Sequence, residues 1–255
     1  MSVPVSNDAL LQFLLRMGDN TLILGHRVSE WCGHAPVLEE DIALANTALD
    51  LIGQTQMWLG LAGEIDGGKS ADDLAFLRDA WDFRNVLLVE VPNGDFGRTL
   101  MRQFLFDAWH SIMLGHLMKS SDERVAAIAA KASKEVSYHL ERSGDTVVGL
   151  GDGTEESHAR MQEALDYLWP YVGEMFASDD VDEEMVTARI APNPADLRAE
   201  YDALIERVLS EATLTIPESR FAHKGGRDGR MHTEHLGHLL TQMQWLKRAY
   251  PGAKW

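Results

Sequence analysis

Four long stretches of the sequence place apolar residues at the three- and four-residue spacing of an α-helix. They cover about residues 7–32, 38–63, 95–119 and 122–150. A Val/Leu run at residues 85–91 has the composition of a strand, but no second run could pair with it. We therefore interpret that run as a buried crossover segment, and the spacing predicts an all-α fold.

The connection between the second and third long helices spans about thirty residues, whereas the other connections in this half of the chain are short. Four helices with one long crossover are typical of ferritin-like bundles. Further elements are predicted outside the bundle: a short helix at 71–80, an acidic solvated helix or loop at 177–193, and helices at 155–176, 195–212 and 232–249. We expect one ferritin-like domain over residues 1–255, with additional C-terminal helices.

Composition excludes several classes of protein. The formal net charge of −17 argues against binding a nucleic-acid backbone, which requires a basic face. Cys32 is the only cysteine, so an internal disulfide or a cysteine metal cage is impossible. No apolar run reaches the roughly 18 residues of a membrane span, and residues 1–8 lack the pattern of a secretory signal. These features favour a cytoplasmic protein.

The fourth long helix carries half of a familiar metal-binding pattern. Ferritin-like di-metal centres take a carboxylate from each of two helices and Glu-x-x-His from the other two. Here the frame ends in His139, but Val136 stands where the glutamate would be. Glu135 comes one residue early and is displaced by roughly 100° around the helix. This helix therefore supplies one ligand in place of two.

The other three helices supply few further ligands. The third offers Asp107, followed three residues later by His110, and the second contains no histidine. The remaining residues at or near ligand positions are Asp19, Thr21, Glu30, Leu51 and Gln54. Only Asp107 and His139 stand in suitable places, and two ligands do not hold two metal ions. A buried hydrogen-bonded pair is the alternative to any metal role for them.

Two histidine patterns outside the bundle also match metal-ligand spacing. Glu155 and His158 fit Glu-x-x-His, but they lie in the first turn of a helix, where a solvated acidic face is favoured. His232, His235 and His238 form the densest histidine cluster in the chain. A surface metal or functional role for this cluster is the alternative to packing and capping.

Several stretches together resemble the C subunits of phenylacetyl-CoA epoxidase, and the resemblance covers nearly the whole chain. The stretches include Leu15–Asn20, Glu30–Pro36, Asp41–Asn46, Leu87–Glu90, Phe106–His110, Tyr138–Leu140, Glu211–Leu214 and His232–Gly237. The resemblance implies a ferritin-like, non-catalytic structural subunit without a di-iron centre or any cofactor of its own. The degenerate ligand positions it implies are Thr21, Leu51, Gln54, Asp107, Val136 and His139.

The resemblance also implies partners. In that family a homologous A subunit holds the di-iron centre and the acyl-CoA, a small B subunit bridges, and a reductase with flavin and iron–sulfur groups delivers electrons from NADPH. The complex epoxidises the ring of phenylacetyl-CoA with O2 in phenylacetate catabolism. We expect the A subunit to meet the first two core helices.

A glycine-flanked basic stretch stands out in this acidic chain. Lys224, Arg227 and Arg230 lie within it, and we predict a flexible loop. It could reach the phosphates of an acyl-CoA held by the partner, or the reductase. A mobile, solvated loop without a role is the alternative.

Two other functions compete with that of a structural subunit. One is a di-metal enzyme that uses Asp107, Glu135 and His139, and the other is a storage protein.

Overall fold

The computed structural model describes residues 5–219 and 221–253, and within these ranges it contains nine α-helices and no β-strand. The helices are α1 Asn7–Ser29, α2 Leu38–Ile65, α3 Ala71–Phe76, α4 Phe96–Leu117, α5 Glu123–Gly151, α6 Glu155–Val172, α7 Asp180–Thr187, α8 Arg198–Glu211 and α9 Glu234–Ala249. The all-helical prediction is confirmed, and the long helices α1, α2, α4 and α5 form the expected bundle.

Local side chains set where the helices begin. The Ser6 hydroxyl accepts the Ala9 N–H at the start of α1. The N-cap of α5 is Asp122, whose carboxylate accepts the N–H groups of Arg124 and Val125. The pattern Ser120-x-x-Glu123 in the sequence predicts a capping box on Ser120, and this prediction is wrong, because the Ser120 hydroxyl accepts the N–H of Asp122 itself. A carboxylate also stabilises the helix terminus electrostatically.

Helices α1 and α2 lie side by side, as do α4 and α5, and α2 also contacts α5. Helix α1 is buried on nearly all sides, whereas α2 keeps one face exposed. Gly18 permits the close approach of α1 to α2, since a Cβ atom there would lie 2.5 Å from Leu59. Gly18, in the middle of α1, therefore allows α1 and α2 to pack closely, although glycine has a low helix propensity.

The crossover between α3 and α4 is buried, as predicted. Residues 85–91 pass through the core with a short 3-10 turn at Leu87–Val89. Their backbone groups are paired with side chains of other elements, which a buried irregular segment requires. The Val86 N–H donates to Asn20 Oδ1 at 2.8 Å, and the Leu87 N–H donates to Glu174 Oε2 at 2.7 Å.

The acidic segment after α6 is not simply solvated, contrary to expectation. Asp179 and Asp182 both pair with Arg16 of α1, and Asp182 is buried. Arg227 completes the cluster, with its Nη2 atom 2.8 Å from Asp182 Oδ1. Two carboxylates and two guanidinium groups thus neutralise one another where α7 and the later loop meet α1.

The glycine-flanked stretch at 224–230 is anchored, which corrects the expectation of a flexible loop. Glu174 Oε1 accepts the N–H groups of Gly225 and Gly226 at 2.8 Å and that of Arg227 at 3.2 Å. Burial raises the pKa of Glu174, and these hydrogen bonds, with that from Leu87, oppose the shift. A Cβ atom at Gly226 would meet the Asn85 carbonyl oxygen at 2.3 Å, so the chain fits there only as glycine.

Among the described helices, none has the length and apolar composition needed to cross a bilayer.

Candidate functional site

The six degenerate ligand positions all lie in the interior of the bundle. Each is almost fully shielded from solvent, with His139 the most exposed at 2%. Hydrogen bonds connect the four helices that carry them: α1 to α2, α2 to α5, and α4 to α5. The positions are Thr21, Leu51, Gln54, Asp107, Val136 and His139. The structure therefore places all six positions inside the bundle.

Asp107 is a fully buried carboxyl group with both oxygens engaged. Gln103 Nε2 donates to Oδ1 at 2.7 Å, and the Ser143 hydroxyl donates to Oδ2 at 3.0 Å. Burial raises the pKa of Asp107 to about 6, although nearby His139 and the two hydrogen bonds oppose the shift. Desolvation thus outweighs the favourable neighbours at this position.

His139 faces α2 and lies close to a carboxylate that the sequence interpretation missed. Its Nε2 atom is 3.0 Å from Asp50 Oδ2, and the Asp50 side chain is 37% exposed. Its Nδ1 atom has no hydrogen-bond partner among the described residues. Asp50 precedes Gln54 by four residues, about one helical turn, so the sequence spacing already places these two side chains on the same face of α2.

His110 is buried without a polar partner. Neither ring nitrogen has a hydrogen-bond partner within residues 5–219 and 221–253. The ring stacks on Trp109 at a centroid distance of 6.1 Å and tilts against Phe106 at 5.2 Å. Burial lowers its pKa to about 3, with a smaller contribution from His139. The imidazole is therefore neutral at pH 7 and packs as an aromatic side chain.

The remaining positions have partners unsuited to metal binding. The Thr21 hydroxyl lies 2.8 Å from the Thr55 hydroxyl, which binds α1 to α2. Gln54 Nε2 donates to Glu135 Oε2 at 2.9 Å. Glu135 is thus displaced from the ligand position, yet it reaches across to α2 and is committed to an amide there.

A carboxylate-bridged di-metal centre does not fit this set of donors. Leu51 and Val136 supply no donor atom, and both oxygens of Asp107 are already occupied by neutral donors. In the part of the chain that the structure describes, no group of three or more His, Cys, Asp or Glu side chains is placed to hold a metal ion. Asp107, Glu135 and His139 do not form such a group.

The other residues singled out in the sequence have structural partners. Asp19 accepts from the Arg78 guanidinium and from the Arg84 N–H, and Glu30 pairs with Arg27. His158 Nδ1 lies 2.8 Å from the Gly151 carbonyl at the end of α5, so it caps a helix.

The histidine cluster near the start of α9 does not converge. His232 is drawn to the buried carboxylate of Glu90, 2.5 Å from its Nδ1 atom, and its Nε2 atom lies 3.2 Å from the Phe83 carbonyl. His238 is exposed to solvent. The structural role of His232 is to fix the entry to α9 on the crossover segment, with the Thr233 N–H also donating to Glu90.

Of the three basic residues expected to contact phosphates, only two face solvent. Lys224 is exposed, and the Arg230 side chain is 84% exposed beside Asp228. The Arg227 side chain is 13% exposed and is held by Asp182 and the Ala177 carbonyl. Arg227 is therefore unavailable to an outside ligand, which corrects that part of the expectation.

Four long helices joined by one long, buried crossover place this protein in the class of ferritin-like helical bundles. The chain belongs to the family described as phenylacetic acid catabolic protein, whose sequence model it matches over residues 2–255. It is 46% identical over 246 residues to the C subunit of the 1,2-phenylacetyl-CoA epoxidase of Escherichia coli (strain K12). That match covers 96% of this chain and 99% of the relative. The resemblance drawn from the sequence is confirmed.

Proposed function

We propose that this chain is the structural, non-catalytic C subunit of a phenylacetyl-CoA epoxidase acting in aerobic phenylacetate catabolism. It would pair with a homologous A subunit that holds the di-iron centre and the acyl-CoA. A B subunit and a reductase carrying NADPH, flavin and iron–sulfur groups would complete the assembly, in the cytoplasm. The complex would epoxidise the ring of phenylacetyl-CoA with O2.

One observation carries the proposal: the ligand frame of α5 holds Val136 and His139, and α2 offers Leu51 and Gln54. The bundle that would position a di-metal centre is intact, while most of its donors are replaced by side chains that pack or bond to one another. Such a chain can still present helix faces to a homologous partner and stabilise it by burying apolar surface.

The experiment is the iron content of the purified chain after expression in iron-replete medium, followed by reconstitution with the A subunit. We expect near-zero iron, with epoxidase activity on phenylacetyl-CoA only when the A subunit is present. About two iron atoms per chain, or activity of the chain alone with a reductase, would refute the non-catalytic role.

We further propose that Lys224 and Arg230 contact the acyl-CoA phosphates or the reductase of the assembled complex. Both are exposed on a loop that Glu174 anchors, so their positions are restricted even though their side chains are free to reach outward. The test is the double variant Lys224→Glu and Arg230→Glu, with Arg227 left intact because its reversal would disrupt the pair with Asp182. An unchanged KM for phenylacetyl-CoA and unchanged turnover with the reductase would end this proposal.

A further inference from the structure

Helix α9 carries a groove on its exposed side, with a large aromatic side chain in the wall. The helix packs on the rest of the chain through Leu236, Leu239, Leu240 and Gln244. Beside this buried face, a groove of about 500 Å³ lies between α9 and residues 79–80. Gly237, Thr241 and Trp245 follow one another along it, each one helical turn from the next, and all three are exposed.

The two ends of this row differ in size in a way that makes the surface complementary to itself. Trp245 and Gly237 each lie four residues from Thr241, on opposite sides of it. The Trp245 residue is 60% exposed, whereas a Cβ atom at Gly237 would meet nothing within 4 Å. In a two-fold pair, each contact occurs twice with the roles of the copies exchanged. Two α9 helices that pack antiparallel about an axis at Thr241 therefore place each Trp245 in the open space at the Gly237 of the other copy.

The charges at the two ends of α9 fit the same antiparallel arrangement. Glu234 lies in the first turn, and Lys247 and Arg248 lie in the last. Within residues 5–219 and 221–253, neither Glu234 nor Lys247 has an ion pair, whereas Arg248 pairs with Asp79. In the antiparallel pair, the first turn of one helix lies beside the last turn of the other. Glu234 of each copy then lies near Lys247 of the other copy, and the two helix dipoles also oppose each other favourably.

We infer that the exposed side of α9 is a self-association surface, on which two copies of this chain pair antiparallel with Trp245 of each at Gly237 of the other. Tryptophan is among the side chains that contribute most at the centre of an interface. A single helix pair lies in the range of small interfaces, below about 1,200 Å², so we expect a reversible dimer with a micromolar dissociation constant. The inference goes beyond the proposed function and does not depend on it.

Sedimentation equilibrium of the purified full-length chain across the micromolar range is the test. The formal net charge of −17 opposes association at low salt, so the measurement is made at about 0.15 M salt, where the Debye length is about 8 Å. We expect a monomer–dimer equilibrium, and Trp245→Ala should raise its dissociation constant roughly 30-fold or more. Tyr138→Ala on α5 is the matched control, since Tyr138 is an aromatic residue with 55% exposure, and should dimerise as wild type.

A variant at Gly237 separates loss of pairing from loss of folding. Gly237→Gln fills the open space that receives the tryptophan of the other copy, so it should weaken the dimer about as much as Trp245→Ala. Glutamine also has a higher helix propensity than glycine, so the monomer should melt at the same temperature or above. Gly149→Gln on α5 is the control, because Gly149 is also helical, exposed and open to a Cβ atom, and it should leave the dimer unchanged.

The antiparallel orientation has its own measurement. Glu234→Lys should weaken the dimer, because it places a lysine near Lys247 of the other copy. Adding Lys247→Glu to that variant exchanges the two charges and should restore the dissociation constant of the wild type. A double variant that stays as weak as Glu234→Lys alone would overturn the antiparallel pairing.

Three further outcomes would overturn the inference. The first is a wild-type chain that remains monomeric throughout the concentration range, and the second is a dimer that neither Trp245→Ala nor Gly237→Gln weakens. The third is a dimer that Leu49→Glu dissociates while Trp245→Ala does not, since Leu49 is exposed on α2 and the contact would then lie on that helix. None of these outcomes changes the iron content or the activity on which the proposed function is tested.

Discussion

At the scale of single residues, Asp107 is a carboxyl group that the fold buries completely between α4 and α5. Its folded-state pKa of about 6 exceeds its ordinary value of 3.8, so the folded state favours the protonated form. The associated stability is fully present below pH 3.8 and is lost as pH rises through 6. At neutral pH the charged form costs about 3 kcal/mol, at 1.36 kcal/mol for each unit of pKa.

Asp107→Asn should therefore raise the free energy of unfolding at pH 7 by about 1–3 kcal/mol. The amide keeps an oxygen for the Ser143 hydroxyl, and the Gln103 amide can turn to accept from the new NH2 group through its Oε1 atom, which lacks a partner among the described residues. Urea unfolding from pH 4 to pH 8 is the measurement. The difference in the free energy of unfolding between the variant and the wild type should shrink below pH 6 and vanish near pH 4.

The exposed Asp166→Asn is the control for the substitution itself, with no change expected. A less stable Asp107→Asn at pH 7 would contradict a net cost of burying the Asp107 carboxylate.

His110 has the opposite dependence on pH. Its folded-state pKa of about 3 lies below the ordinary 6.5, so stability is present above pH 6.5 and is lost as pH falls towards 3. His110→Leu keeps a similar volume between Phe106 and Trp109 and removes two buried nitrogens without partners among the described residues. We expect the free energy of unfolding of the variant to exceed that of the wild type by roughly 1 kcal/mol at pH 7. The excess should grow by about 1.4 kcal/mol for each unit below pH 6.5.

Urea unfolding at pH 7.5 and at pH 5 measures this difference for His110. A difference between variant and wild type that stays constant across the two pH values would contradict the assignment of a buried neutral imidazole.

At the scale of elements, the positions of the helices follow from the local spacing of apolar residues. Which face of each helix is buried and which is exposed does not follow from it. The sequence pattern places α1, α2, α4 and α5 to within about three residues of their observed ends. It cannot tell that α2 shows an apolar face to solvent, because spacing reveals which side chains are apolar and not which neighbour covers them. The glycines of α1 and α2 illustrate the same limit: they look alike in the sequence and differ in their surroundings.

Gly53→Ala should stabilise the chain, whereas Gly18→Ala should destabilise it. A Cβ atom at Gly53 meets open space, so the variant gains up to about 1 kcal/mol of helix propensity and a few degrees in Tm. A Cβ atom at Gly18 would lie 2.5 Å from buried Leu59, and such overpacking costs roughly 1–3 kcal/mol. Thermal unfolding of both variants is the measurement, and equal shifts in Tm would contradict the packing of α1 on α2.

At the scale of the whole molecule, buried carboxylates hold the C-terminal third on the bundle. Glu90 receives His232 and Thr233, and Glu174 receives three N–H groups of residues 225–227. Asp182 receives Arg227 and Arg16. These contacts join segments that are 45 to 166 residues apart in the chain, as the Arg227–Asp182 and Arg16–Asp182 pairs show.

Glu174→Ala should release the 225–227 segment from the crossover. The change leaves four backbone N–H groups without their acceptor, which costs roughly 3 kcal/mol or more. Hydrogen exchange at the amides of Leu87, Gly225 and Gly226 should accelerate, while exchange in α5 should change only with global stability. The exposed Glu163→Ala is the matched control. Unaltered protection of Gly225 and Gly226 would contradict the anchoring role of Glu174.

The sequence by itself determined the helices, the buried crossover and the absence of a donor atom in the Leu51 and Val136 side chains, since helical period and residue chemistry are local properties. The tertiary structure alone decided which polar groups meet: Asp50 with His139, and Arg227 with Asp182. A buried charge needs a partner of opposite sign or several hydrogen bonds, but that partner can come from any part of the chain. Which residues are brought together depends on how the helices pack.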